Sequence, residues 1–400
     1  MRHIFRASSI GEKKIQALEK IGLYKGKKNS NKSIWVHAVS VGEVNVALKL
    51  IQDLEEVLEN PNFVLSTTTL TGAKKARENL SKNSKHVYFP FDLRFICKKF
   101  ISFHNPSILL LIETEIWPNL INLSNESQIP VVIVNGRLSD KSLKKYKGLN
   151  SFFEKSFKKI SFAFVQSKND YERFSEAGIN EKSIDVSGSI KFDINVSSEN
   201  NLSEKEIEYF KGKYLFVCGS THPGEEEILI DSFVELKKQN KHLVLAPRHP
   251  ERYEEIKELL KEKKLNGARF TKISSKIYDK SDVTIVDVIG RLSDFYKIAD
   301  CVFVGGTLVD HGGQNFLEPA FFNKPIISGR STYNFEEIAK KLNDLGLLKF
   351  VSDKDEITFA IENMEVISDL IKEETNLWLN ANKGASKMIS KKIFEKFSFI

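Results

Sequence analysis

Six short stretches of this chain carry residue types that could do chemistry, and each ends an apolar run. The first is His37-Ala-Val-Ser40-Val-Gly42-Glu43, where a glycine permits a tight turn and a carboxylate opens the next helix. A glutamate so placed can act as a general base if it abuts an acceptor hydroxyl; it can equally do no more than complement the helix dipole. The second is Ile112-Glu113-Thr114-Glu115-Ile116-Trp117-Pro118-Asn119. Two acids one residue apart at the end of a buried strand are poorly explained as surface decoration, although one of them could cap the helix before Pro118. The third, Ser187-Gly188-Ser189-Ile190-Lys191-Phe192-Asp193, offers a lysine at a joint in the chain, where an ammonium could offset charge on a departing phosphate or simply be solvated.

The other three stretches suit anions. Cys218-Gly219-Ser220-Thr221-His222-Pro223-Gly224-Glu225 follows a strand and opens a helix, as an anion-binding turn does. Ala246-Pro247-Arg248-His249-Pro250 ends the next strand with a guanidinium, whose planar fork fits phosphate. Val304-Gly305-Gly306-Thr307 ends another, and Gly312-Gly313-Gln314-Asn315-Phe316-Leu317-Glu318-Pro319 leads into a helix. Glycines there let backbone approach a phosphate, Asn315 can serve as N-cap, and Glu318 can meet ribose hydroxyls or close a capping box three residues on. The chain carries no GxxxxGK[ST] loop, no GxGxxG at a first strand and no acidic triplet for a metal, so neither NAD nor an obligatory metal is expected.

Alternating short apolar runs and longer periodic ones must position these stretches. Strands are expected at Ile34–Val39, Phe63–Ser66, His86–Phe89, Ile108–Ile112, Val131–Asn135 and Phe162–Gln166, with helices such as Val44–Leu58, Gly72–Leu80 and Lys168–Ala177 between them. A polar stretch near 193–213 breaks the rhythm. It restarts with strands at Tyr214–Cys218, His242–Ala246, Val283–Val286, Cys301–Val304 and Pro325–Ile327. Strands separated by helices imply parallel, doubly wound sheets, with ligands beyond the carboxyl ends of the strands. The division expected is a basic N-terminal helix over 1–32, a Rossmann-like domain over 33–192, a linker over 193–213 and a second Rossmann-like domain over 214–400, whose last helix can pack back on the first. That is the α/β architecture of GT-B glycosyltransferases, with an interdomain cleft as the site.

The 400 residues, 41% hydrophobic and 28% charged, can fill two cores, which excludes disorder as the general state. A net charge of +7 suits an anionic surface or a phosphorylated substrate. The basic residues are dispersed and no stacking-aromatic motif accompanies them, so nucleic acid is not an expected partner. Cys97, Cys218 and Cys301 lie far apart and read as reduced thiols, as in the cytoplasm. No apolar run reaches the roughly 18 residues of a membrane span. Residues 1–32 hold nine lysines and arginines against Glu12 and Glu19, with Ile4, Ile10, Ile15, Leu18 and Ile21 at helical spacing. Such a helix lies on a membrane or packs on the body with a basic face in solvent.

In order along the chain, HAVSVGEV, STTTLTGAKKA, HVYFPFD, LIETEIWPN, VNGRLSDKS, GSIKFD, GSTHPGEEE, APRHPER, FVGGTLVDHGGQNFLEPA and TYNF resemble the 3-deoxy-D-manno-octulosonic acid (Kdo) transferase family, from Trp35 to Leu345. The resemblance implies a GT-B fold and inverting, metal-independent transfer of Kdo from CMP-Kdo to a lipid A precursor at the cytoplasmic face of the bacterial inner membrane. It implies that Glu43 is the general base and that Glu113 and Lys191 stabilise the transition state. It also implies that Pro247, Arg248, Ile289, Gly290, Arg291, Asn315, Phe316, Leu317 and Glu318 hold CMP. Where the family has Gly-Glu, this chain reads Gly290-Arg291, and the membrane-spanning anchor of many members has no counterpart. Another nucleotide-sugar transferase of the same fold, or a catalytically silent relative, are the alternatives.

Overall fold

A computed structural model describes residues 2–148, 151–194, 199–236, 240–273, 281–363 and 367–397, with the side chains of 2–10, 151 and 152 left aside. The chain forms two compact units, residues 1–194 with 382–400, and residues 195–381.

In the first unit α1 (Arg2–Lys20) precedes β1 (Ser33–His37), α2 (Val41–Val57), β2 (Phe63–Thr67), α3 (Leu70–Asn79), β3 (Lys85–Tyr88) and α4 (Arg94–His104). There follow β4 (Pro106–Ile112), α5 (Pro118–Glu126), β5 (Val131–Gly136), α6 (Asp140–Gly148), α7 (Ser151–Phe157), β6 (Phe162–Val165), α8 (Lys168–Ala177) and β7 (Ile184–Val186). The sheet is parallel, with strand order β3-β2-β1-β4-β5-β6-β7. Its central strands are buried on both faces, which is why Ile108 to Ile112 are continuously apolar instead of alternating. Helix α2 starts where the Ser40 hydroxyl accepts from Glu43 N, and it turns Val44, Ala47, Leu50, Ile51 and Leu54 onto the sheet at helical spacing. On the other face Trp35 stacks on Phe100, ring centroids 3.9 Å apart.

The second unit runs α9 (Glu204–Phe210), β8 (Tyr214–Thr221), α10 (Glu225–Leu236), β9 (Lys241–Pro247), α11 (Tyr253–Glu262), β10 (Gly267–Arg269), β11 (Val283–Ile285) and α12 (Leu292–Ile298). It continues β12 (Cys301–Val304), α13 (Leu317–Phe321), β13 (Ile326–Ser328), α14 (Glu336–Asp344), β14 (Leu348–Phe350), α15 (Lys354–Asn363) and α16 (Asp369–Ala381). Its sheet, also parallel, has the order β10-β11-β9-β8-β12-β13-β14.

The domain limits differ from the expected ones in one place, and the last helix packs back on the first unit as allowed for. Residues 204–210, expected within a linker, form a helix of the second unit, opened by a Ser203–Glu206 capping box and anchored by buried Phe210. The second unit ends at Ala381, because α17 (Ala385–Lys396) buries Ile389 and Ile393 in the first unit's core. Asp193 fixes that helix by accepting from Gly384 N at 2.5 Å and Ser386 N at 2.7 Å.

Residues 11–20 of α1 pack on the body, as the second of the two readings has it. Glu12 meets Arg77 and the Tyr88 hydroxyl, Gln16 donates to Thr68 O, and Glu19 accepts from Tyr88 N. The three cysteines are free and buried. Among the described residues no helix is long and apolar enough to cross a membrane.

Candidate active site

In the first sheet the chain winds outward from β1 through β2 to β3, then returns to β4 on the other side of β1. The loops leaving β1 and β4 therefore diverge, and a crevice opens between them at the carboxyl edge. Glu43 follows one of these strands and Glu113 the other.

Glu43 sits in the first turn of α2. Its carboxylate accepts from Val39 N at 2.8 Å and Ser40 N at 3.3 Å, which completes a capping box with Ser40. The capping reading is thus realised, yet a carboxylate has about four acceptor positions and these bonds use two. Burial raises its proton affinity first, the neighbouring Glu113 adds to the rise, and the Val39 N–H opposes it. A stronger base is the result.

Glu113 stands where β4 ends, with φ +60°. That left-handed backbone is uncommon for a residue with Cβ and costs on the order of 1–3 kcal/mol. Its N–H still reaches Val134 O at 2.9 Å, so the ladder holds while the side chain is re-aimed. The carboxylate meets Lys191 Nζ at 2.9 Å.

Lys191 lies on a 3-10 turn, Ile190–Asp193, whose Ile190 and Phe192 are buried. Asn135, also left-handed at φ +59°, accepts from Ile190 N at 2.9 Å and so pins the turn to β5. The ammonium expected to wait for a phosphate is therefore engaged with a carboxylate of its own unit.

Glu115, the second of the paired acids after β4, is a third carboxyl in the same place. Its carboxyl is pushed up to about 7, by burial first and then by the charges of Glu43 and Glu113, while a 2.9 Å bond from Trp117 Nε1 acts the other way. His37, the last residue of β1, is wholly buried, bonded through Nδ1 to Ser66 and stacked on Phe89 at 3.8 Å. Burial pulls its pKa down to about 3, so the ring is a neutral wall and not a base.

In the second unit the same rule selects the loops after β8 and β12, neighbours at the point where the strand order reverses. The glycine turn after β12 does not wait for a phosphate. Glu225 fills it, accepting from Gly306 N, Thr307 N, Leu308 N and His222 N at 2.7–3.0 Å. What remains exposed on that edge is side chain. His222 stacks on His311 with centroids 4.3 Å apart, and Gln314 Nε2 lies 3.3 Å from His222 Nε2. His222 is drawn down to about 4 by burial first and then by the charges of His311, His249, Arg248 and Arg252. No role was assigned beforehand to His222, His311, Gln314 or Glu225 individually, although the strand-end rule points to both of the loops that carry them.

Pro247 is buried at the end of β9, and Arg248 is exposed beyond it with its N–H on Thr221 O at 2.9 Å. Ile289 is exposed and Gly290 has φ +88°. Arg291 is tied down, Nε to Asp294 at 2.8 Å and Nη2 to Asn201 O at 2.9 Å, so its charge serves its own unit. Asn315 does not cap α13 in the expected way. Its side chain accepts from Leu317 N at 3.1 Å, and Phe316 takes the N-cap position. Phe316 and Leu317 are core residues, so a ligand there could meet only their backbone; Glu318 is partly exposed. The strands β11, β9, β8 and β12 are consecutive neighbours, which brings all these loops to one edge.

A family profile described as 3-deoxy-D-manno-octulosonic-acid transferase (kdotransferase) matches residues 16–194. A 3-deoxy-D-manno-octulosonic acid transferase of Haemophilus influenzae is 34% identical over 334 residues, 82% of this chain and 78% of that protein. One of Rickettsia bellii is 33% identical over 344 residues, 84% of this chain and 80% of its own length. A bifunctional glycosyltransferase/methyltransferase of Fusobacterium nucleatum is 35% identical over 90% of this chain, which spans only 56% of that longer protein. Among solved structures, the S. aureus MnaA–UDP complex superposes with TM-score 0.62 at 16% identity, covering 92% of this chain and 98% of that one, a likeness of fold alone. Two parallel seven-stranded units, aligned over most of their length with relatives above 30% identity, place this chain in the 3-deoxy-D-manno-octulosonic acid transferase family, as a glycosyltransferase of GT-B fold.

Proposed function

We propose that the chain transfers Kdo from CMP-Kdo to a lipid A precursor at the inner face of the bacterial inner membrane, with inversion and without a metal. The observation that carries this reading is the meeting of Glu43, Glu113 and Lys191 in one crevice, from three separate stretches of chain.

Glu43 takes the proton of a glucosamine hydroxyl as that oxygen bonds to the anomeric carbon of Kdo. The bond from that carbon to the phosphate oxygen breaks, and CMP leaves with the electron pair. The sugar ring passes through an oxocarbenium-like state. Glu113 supplies the negative charge that such a state favours, and Lys191 pairs with it at 2.9 Å and holds it in place. Arg248, the loop of Ile289, Gly290 and Arg291, and the stretch Asn315–Glu318 hold the CMP end. Arg291 takes part through backbone, since its guanidinium is engaged elsewhere.

Purified protein, CMP-Kdo and tetraacyl lipid A precursor are incubated and the lipid weighed by mass spectrometry; a mass gain of one Kdo or more is expected. General-base catalysis is worth roughly 10²–10⁴-fold. Glu43→Gln is expected to lower turnover by that much while CMP still raises the melting temperature. Near-full turnover in that variant would refute the assignment, and stabilisation by UDP in place of CMP would refute the donor.

A further inference from the structure

Lys191 is carried by a turn that does little to hold itself. Lys191 N reaches Ser189 Oγ at 3.4 Å and Phe192 N reaches Ser189 O at 3.2 Å, both at the long end for a hydrogen bond. The pair with Glu113 nonetheless closes at 2.9 Å between two separate stretches of chain. Asn135 secures the turn from β5, through Ile190 N. From the other side it is backed by α17, which comes from the far end of the chain.

Helix α17 meets the whole stretch from Asp185 to Asp193. Lys392 Nζ pairs with Asp185 at 2.7 Å. A Cβ added at Gly188 would lie 3.9 Å from the Cβ of Ala385, so the helix sits directly behind that glycine. Ile190 shares a core cluster with Ala385, Ile389 and Ile393. Asp193 then accepts from Gly384 N at 2.5 Å and from Ser386 N at 2.7 Å. Among these contacts the Asp193 bonds are the short, directional ones, made by a carboxylate at a helix N-terminus, where charge and dipole both favour them. Gly384, the N-cap residue, has no side chain to offer these amides. Asp193 supplies from 191 positions away what Ser40 supplies locally to α2.

A cap of this kind could serve stability alone, but its place says more. Asp193 is the last residue of the turn Ile190–Asp193, two positions after Lys191, so slack at the cap passes straight to the lysine's backbone. The chain leaves the first unit after Ile194 and returns at Asn382, so the clamp stands between Lys191 and both crossings. We propose that Asp193 is a positioning residue for transfer: by capping α17 it fixes the turn and so seats the Lys191 ammonium on Glu113. This rests on the reading in which that pair serves the reaction.

Asp193→Ala is compared with Ile393→Ala, which weakens the buried face of α17 further along and leaves the clamp intact. Both are expected to lower the unfolding midpoint. Only Asp193→Ala is expected to lower kcat per folded molecule, by roughly 10–100-fold, as a misplacement of about 1 Å does. Its KM for CMP-Kdo should stay within about twofold of the parent's, and CMP protection should be unchanged. In a Lys191→Met background Asp193→Ala should lower kcat by less than about twofold, because the two residues act as one unit. An equal kcat loss in Ile393→Ala, additive losses in the double variant, or parental kcat in Asp193→Ala overturns the proposal. Acetylation of Lys191 by acetic anhydride, followed by peptide mass spectrometry, needs no substrate. It is expected to run several-fold faster in Asp193→Ala and at the parent's rate in Ile393→Ala. Unchanged labelling in Asp193→Ala overturns the positioning whatever the reaction. A parent that transfers no Kdo yet shows the labelling difference condemns the reaction reading and leaves the seating of Lys191 standing.

Discussion

Replacing Glu115 by glutamine tests the electrostatics of the carboxylate crevice without touching the proposed base. The folded protein holds this carboxyl at about 7 against an ordinary value of 4.5. Between those values the folded chain keeps a proton that the unfolded chain has released, so folding is favoured at low pH. Stability from this group is full below about 4.5 and is lost as pH rises through about 7. At 1.36 kcal/mol per tenfold in the ionisation constant, the gap sets a ceiling of about 3 kcal/mol. Glu115 is partly exposed, and solvent screening brings the expected value to roughly 1–2 kcal/mol. Glutamine keeps the acceptor for Trp117 Nε1 and the volume, and removes only the charge. In urea unfolding followed by the fluorescence of Trp35 and Trp117, the variant is expected to exceed the parent by roughly that amount at pH 8.5. At pH 5, where the parent's Glu115 is itself protonated, the two should agree within about 0.5 kcal/mol. An equal effect at both pH values, or destabilisation at pH 8.5, would refute the raised proton affinity of Glu115.

Lys191→Met leaves the half-buried Glu113 carboxylate without this partner, so turnover should fall and urea unfolding should show a loss of about 1–2 kcal/mol; unchanged turnover would show that the pair does not serve the proposed reaction. Glu225→Ala leaves the amides of His222, Gly306, Thr307 and Leu308 without this acceptor, at roughly 1–3 kcal/mol for each one that stays dry, and urea unfolding of the second unit followed by Trp378 should show a loss of at least about 3 kcal/mol. Asn135→Ala should cost about 2 kcal/mol in unfolding experiments, from the lost bond to Ile190 N and an alanine held at φ +59°; Asn135→Gly, free of the second penalty, should recover about half, and parity of the two would remove backbone strain from the account.

Much of the fold was legible because a parallel sheet buried on both faces writes each strand as an unbroken apolar run. The strands that escaped notice, Ile184–Val186, Gly267–Arg269 and Leu348–Phe350, are three residues long and lie at sheet edges, where pairing on one side needs little apolar text. Tertiary pairing also decided the fate of residues 382–400. Nothing local in Ala385–Lys396 says which core it joins; the decision lies in Asp193, nearly two hundred residues earlier, which receives the helix's first amides. The acids at 43 and 113 could be read as neighbours, since each lies just beyond the carboxyl end of a strand. That Lys191 pairs with Glu113 could not, because it depends on Asn135 holding the turn after β7 against β5.

The glycine turn after β12 shows how a local motif can be read correctly in kind and wrongly in occupant. Glycine at 306, φ +73°, and the amides that follow do form an anion-binding concavity, but the anion is Glu225, supplied by the start of α10. A carboxylate fixed there keeps a second anion out of the same amides, since the two would repel at short range. Under the proposed reading the donor's phosphate is therefore met by side chains, and the groups on hand are Arg248 and the stacked His222 and His311. Because burial and neighbouring cations keep His222 neutral until about pH 4, an arriving anion has to raise its proton affinity to recruit it as a cation. Donor binding through that imidazole would take up a proton at neutral pH, whereas binding through Arg248 alone would take up none. Calorimetric titration with CMP in two buffers of different ionisation enthalpy separates the cases. A buffer-dependent heat that disappears in His222→Gln assigns the phosphate to the imidazole pair, and a buffer-independent heat in the parent denies it that role.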